Sequence, residues 1–137
     1  LSDKAEMTIL EQQASSFNTE VELPLYSFDA TKQDKIGQIK IKLSTATKNL
    51  IALLSDEEIK PIFKKGSIFI VDPNARLEND SLAAVKIENN QQILIRKIYL
   101  EPNKTLLMTC DNSTAPLILN PQLHSILGVV IQVNAKT

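Results

Sequence analysis

The chain has 137 residues, 43 % of them apolar, and 15 basic against 16 acidic side chains give a formal charge of −1. That length favours one domain, able to bury about two thirds of its unfolded surface without staples. The charge balance lacks the basic excess of a nucleic-acid binder, no apolar run reaches the ~20 residues of a bilayer span, and the single Cys110 forbids an internal disulfide and fits a reducing, cytoplasmic setting.

The first residues, Leu1 to Glu6, are charged and mixed and do not read as a secretory signal. Because the chain starts at Leu rather than Met, it reads as a piece of a longer protein. Ser2 and the helix formers up to Gln13 predict a short capped helix. Residues 14–19 then break the pattern, so residues 1–20 read as a linker or N-terminal arm and residues 21–137 as the domain.

From Val21 the texture turns to strand. Val21-Glu22-Leu23 alternates, and Pro24 suits a strand edge or start. Ile39, Ile41 and Leu43 stand between Lys40 and Lys42 with a period of two. Short apolar runs follow at 50–54, 67–71, 82–87, 93–100 and 105–109, and a last one spans 125–133 around Gly128. Turn signals separate them at Asp72-Pro73-Asn74, Glu88-Asn89-Asn90, Pro102-Asn103, Asp111-Asn112-Ser113 and Asn120-Pro121. Many short strands with polar turns predict a mainly β domain. One helix is predicted inside it, Ser55 to Phe63, because Ser55-Asp56-Glu57-Glu58 has the form of a capping box. Pro61 limits it to one or two turns.

Several chemistry-bearing residues have plain readings. His124, the single histidine, lacks neighbours with metal-ligand spacing and reads as a polar residue at a strand start. Cys110 reads as a small buried hydrophobe. Asp72 beside Pro73 reads as a turn former. Lys60, Lys64 and Lys65 read as solvated charges. With three glycines in all there is no phosphate-binding loop, so no cofactor and no metal are expected.

The order of motifs carries more than any one of them. Leu23-Pro24-Leu25-Tyr26, the run from Asn49 to Leu54, Pro61 and Gly66 flanking Ile62-Phe63, Ile68 to Pro73, Asp80 to Val85, Ile93 to Ile98, Asp111-Asn112 and Ile126-Leu127-Gly128-Val129-Val130 succeed one another along residues 21–133. This succession resembles the C-terminal domain of the LexA- and phage-repressor-type regulators, related to the UmuD-type mutagenesis proteins. The resemblance implies a LexA/signal-peptidase-like fold of short, strongly bent antiparallel strands with one short helical turn. It also implies self-cleavage, in which a serine attacks a backbone carbonyl and a neutral lysine takes its proton.

Pro61, Gly66, Asp72 and Gly128 stand at matching structural positions, and the departures fall on the chemistry. Glu58 occupies the serine position, three residues before Pro61, and Arg96 occupies the lysine position. A guanidinium keeps its proton near neutral pH and is no general base. Both residues therefore read as degenerate, and a Glu58–Arg96 salt bridge is expected in place of the catalytic pair. A rival pairing takes Ser55 as nucleophile and Lys97 as base. Ser55 is eleven residues from Gly66 where Glu58 is eight, and using Lys97 requires a one-residue strand slip. Gly37, the one glycine ahead of these motifs, follows Ile36 and reads as a bulge or bend rather than a cleavage site.

The resemblance then implies a catalytically inactive regulatory and dimerisation domain of a repressor-like regulator, with a helix-turn-helix DNA-binding part upstream. Implied partners are a second copy, with Ile126 to Val133 at the interface, and an antirepressor or signalling molecule; DNA is reached only through the upstream part, and no membrane is involved. The alternatives are an active Ser55–Lys97 peptidase and a stand-alone UmuD-like accessory protein.

Overall fold

The computed structural model describes residues 20–31, 34–43 and 48–137. The helix predicted between Ser2 and Gln13, and nearly all of the predicted linker, lie outside the described residues. Nine strands form one mixed sheet: β1 (Glu20–Ser27), β2 (Gly37–Lys42), β3 (Ile51–Leu54), β4 (Ile68–Asp72), β5 (Leu82–Ile87), β6 (Gln92–Glu101), β7 (Lys104–Met108), β8 (Leu117–Ile118) and β9 (His124–Asn134). Their order across the sheet is β2-β1-β3-β4-β9-β5-β6-β7-β8. The mainly β architecture follows the sequence, with one difference in the pairing. β1 runs parallel to β3, Leu25 facing Ala52, while every other neighbouring pair is antiparallel. A parallel pair needs a crossover, and here β2 supplies it by folding back on the outer side of β1.

Alternation explains the burial. On the β3–β4 pair, Leu53 opposite Phe69 and Ile51 opposite Val71 face the central core, which also holds Phe28, Ala84, Ile93 and Ile95. The intervening Ala52 and Ile70 face a second cluster with Leu23, Ile41, Leu43 and Leu50. On the far half, Ala83, Val85, Ile98 and Leu107 form a third cluster. Strands buried on both faces lose their polar alternation, hence the unbroken Phe69-Ile70-Val71 and Ala83-Ala84-Val85 runs. Ile93 and Ile95 point to the central core whereas Ile98 points to the third cluster, so the apolar phase of β6 changes face beyond Ile95.

The chain also draws the two halves of the sheet together at the end of β1. Asp29 bridges Gln92, the Ile93 N–H donates to the Phe28 carbonyl at 2.7 Å, and the Ala30 N–H donates to the Gln91 carbonyl at 2.7 Å. These contacts set the start of β6 against the end of β1, and the fully buried Phe28 fills the space between them. Such closure reduces the exposed strand edge.

The helix predicted over Ser55 to Phe63 is absent, as is any helical turn among the described residues. Ile59 and Phe63 instead exchange both backbone hydrogen bonds, at 2.7 and 2.9 Å, as an antiparallel pair across Lys60-Pro61-Ile62. That doubling back directs both apolar side chains into the central core, which a single short helix next to Pro61 does not achieve. The bulge expected at Gly37 is also absent. Gly37 pairs in unbroken register with Leu25, and an added Cβ would meet nothing within 4 Å. Nor is β9 open to strand addition. It is hydrogen-bonded to β4 on one side and β5 on the other, so the outer strands of the described sheet are β2 and β8. No helix among the described residues is long and apolar enough to cross a membrane.

Both irregularities in the ladders fall around β9, between Ile70 and Val71 on one side and between Ala84 and Val85 on the other. Gly128 sits there. A Cβ on it would lie 2.6 Å from the Asp72 carbonyl oxygen and 2.7 Å from a Val71 methyl. Gly128→Ala is expected to lower stability by about 1–3 kcal/mol through overpacking, read as a lower denaturant midpoint. Gly37→Ala should stay within about 0.5 kcal/mol of the parent; equal effects of the two substitutions would contradict the packing described.

Candidate functional site

The segment between β3 and β4 carries the motif that the sequence singles out. Its base continues the strand ladder: the Ser55 N–H donates to the Ser67 carbonyl at 2.9 Å, and the Gly66 N–H donates to the Ser55 carbonyl at 3.0 Å. Gly66 has φ +92°, in the left-handed region that favours glycine, and turns the chain into β4. Above this base, Phe63 stacks edge-on against Phe69 with ring centroids 5.3 Å apart, and Phe69 in turn meets Phe28 at 6.0 Å. The aromatic column anchors the Ile59–Phe63 hairpin. Pro61 stands exposed at its tip, in a cis peptide bond with Lys60.

This anchoring hangs the stretch from Glu57 to Lys60 over the middle of β6 and the end of β7. Between them lies a cavity of about 210 Å³. One wall is Glu57, Glu58, Ile59 and Lys60; the other is Ile95, Arg96 and the turn from Thr109 to Ser113. Glu58 and Arg96, far apart in sequence, thus border one small polar space. They do not form the expected salt bridge. The ion pairs within 4.0 Å among the described residues are Lys86–Glu88 and Lys104–Glu101. Arg96 instead turns one guanidinium nitrogen back along its own strand, where Nη1 donates to the Ile95 carbonyl at 2.9 Å. Glu58 is exposed on the opposite wall. A half-buried guanidinium satisfied by a carbonyl gains little by reaching into solvent for an exposed carboxylate.

The rival pair is not brought together. Ser55 is buried, and its hydroxyl is engaged within its own turn, donating to the Glu57 carbonyl and accepting from the Glu57 N–H at 3.3 Å. Lys97 pairs across the sheet with Leu82 and Met108, and no hydrogen bond links it to Ser55. Of the two adjacent basic residues on β6, Arg96 borders the cavity and Lys97 does not.

Other singled-out residues serve local structure. Asp72 is buried and accepts the Asn74 N–H at 2.8 Å, closing the turn after β4. His124 is buried at the start of β9, and its Nδ1 accepts the Asn120 N–H at 2.9 Å. Lys64 gives its carbonyl to the Ser67 hydroxyl at 2.7 Å, while its side chain and that of Lys65 are exposed. The same Ser67 hydroxyl accepts the Lys136 N–H at 3.0 Å, tying the C-terminal end to the base of the loop.

Sequence reasoning missed Cys110 and Asp111 as members of this cavity. Their placement depends on how the β7 end folds against the loop, and the turn signal at Asp111 was the available clue. Burial pushes the Cys110 thiol above its ordinary value, and Asp111 adds to the rise; the nearby charges of Arg96 and Lys97 act in the opposite sense. Asp111 itself is held below the usual carboxylate range by hydrogen bonds from Ser113 and Thr109. The cavity therefore combines two cations, Lys60 and Arg96, with carboxylates and a neutral thiol. A strong general base next to a free hydroxyl is not among its groups.

A family model described as Peptidase S24-like matches residues 12–131. No curated protein matches the chain.

The thiol gives a direct check on these electrostatics. Alkylation of Cys110 is expected to be slow at neutral pH and to rise at a higher pH than for a free thiol, since the thiolate is the reacting form. Replacing Arg96 removes a charge that favours the thiolate, so Arg96→Leu should move the profile higher still. A profile that shifts lower in the variant would contradict the placement of Arg96 beside Cys110.

Proposed function

The chain belongs to the Peptidase S24-like family, and from that membership we propose that it is the non-catalytic regulatory and dimerisation domain of a repressor-like, LexA-type transcriptional regulator. DNA binding would reside in an upstream helix-turn-helix part, and the protein would work in the cytoplasm as a two-fold dimer that doubles half-site contacts.

One observation carries the reading. The cavity where the resemblance puts a serine and a lysine is bordered by Glu58 and Arg96. Acyl transfer by this route needs a nucleophile and a base that can accept its proton. A carboxylate at the serine position is a poor acyl acceptor, and arginine holds its proton. Ser55 is spent in a turn and Lys97 stands off the cavity. Release of repression would then act through a partner, such as an antirepressor protein or a small effector, rather than by cutting the chain. For dimerisation, the paired backbone of β9 leaves its side chains, or the outer strands, as the available surface.

The test is the mass of the natural full-length protein incubated from neutral to alkaline pH, beside a Ser55→Ala variant. A Ser–Lys enzyme gains activity as its lysine deprotonates. Both proteins are expected to keep their mass throughout. Cleavage of the parent that disappears in Ser55→Ala would make the protein a self-cleaving peptidase and overturn this reading.

A further inference from the structure

We propose that the cavity between the Glu57–Lys60 loop, the middle of β6 and the end of β7 is a binding site for a free α-amino acid, held by its carboxylate at Arg96 and by its ammonium at Glu58. The proposal rests on the non-catalytic reading above and names the kind of small effector that would act there.

Among the charges that line the cavity, which include Glu57, Lys60 and Asp111, Glu58 and Arg96 share the space from opposite walls without meeting. They are not within ion-pair distance of each other. Arg96 is anchored through Nη1 to the Ile95 carbonyl, which fixes the guanidinium plane and leaves its other nitrogens able to donate. A planar guanidinium matches a carboxylate two bonds at a time. On the facing wall, the exposed carboxylate of Glu58 is an acceptor for an ammonium. A ligand carrying both charges on one carbon would bridge the gap that the two side chains leave open.

Size and lining narrow the class. About 210 Å³ is below the roughly 300–1,000 Å³ of pockets for drug-sized ligands, which points to a metabolite of amino-acid dimensions. Thr109 and Ser113 bring polar groups to the rim, while Ile59 and Ile95 supply an apolar floor for a short side chain. A simple carboxylic acid would leave Glu58 facing it with like charge, and a simple amine would leave Arg96 facing it in the same way. A separate cavity of about 280 Å³ among Tyr26, Ile51, Leu53 and Leu127 lacks charged walls and fits no zwitterion.

Cys110 supplies the readout, because it borders the cavity and is the only cysteine in the chain. The rate of its alkylation by a small maleimide is measured at fixed pH with glycine, alanine, glutamate and lysine in turn, and with N-acetylalanine and alaninamide as one-ended controls. At least one free amino acid is expected to slow labelling about tenfold once present at about ten times its Kd, while both controls leave the rate unchanged. In Arg96→Leu and in Glu58→Gln the ratio of rates with and without ligand should fall to one.

Equal protection by a control, or no protection by any amino acid, would overturn the proposal, and the control comparison needs no variant to fold. The two readings fail separately. Unprotected Cys110 beside an unchanged mass removes the ligand and leaves the repressor reading, whereas Ser55-dependent cleavage removes the reading on which the ligand rests.

Discussion

The insertion of β9 between β4 and β5 is the constraint from which the other features follow. A last strand that pairs on both sides must be accommodated by two ladders that were not built for each other, and both adjust by shifting register beside it. Next to the shift on the β5 side, the β9 backbone passes so near the Asp72 carbonyl that only glycine leaves room, at Gly128. The packed junction holds β4 in place, and with it the base of the loop that β4 follows. It also joins the β1–β4 half to the β5–β8 half, so that Phe69 from one and Ile95 from the other share a core.

From this frame the loop before β4 has little freedom. Its base is zipped by Ser55, Gly66 and Ser67, and its hairpin is pinned by Ile59 and Phe63. The resulting cavity sets Glu58 and Arg96 on its two walls, while the Ser55 hydroxyl stays bonded within its own turn. The scaffold and the chemistry are separable here: Pro61 at the hairpin tip and Gly66 at the turn into β4 shape the loop whatever side chains stand at 58 and 96. A fold supports a site without obliging it to be catalytic.

Much of the fold was legible because strand periodicity and turn residues are local signals. Eight of the nine strands lie in segments that the apolar pattern marks, and the turns at Pro73, Asn89, Pro102 and Asn120 fall between strands. β8 was missed because two exposed residues, Leu117 and Ile118, leave no pattern to read. The helix predicted at Ser55 failed because its capping signal is shared with the short turn that Ser55 makes with Glu57. What decided between them was the pairing of Ile59 with Phe63 and their burial, a tertiary gain that no local propensity contains. The parallel β1–β3 pair and the interior place of β9 are long-range facts of the same kind. Within the site, the placing of Glu58 and Arg96 on one cavity was anticipated through the order of motifs, but their failure to pair was not. That outcome depends on the Ile95 carbonyl satisfying the guanidinium first.

The central claim is that the serine–lysine chemistry of the fold is absent from this cavity. The most direct measurement is reaction of the folded protein with a fluorophosphonate at alkaline pH, with adducts located by peptide mass. The account predicts no modified serine, because Ser55 is buried and bonded within its turn and no lysine borders the cavity to activate a hydroxyl other than the exposed Lys60. A stoichiometric adduct on Ser55, lost when Lys97 is replaced by alanine, would contradict it and make the site an active one.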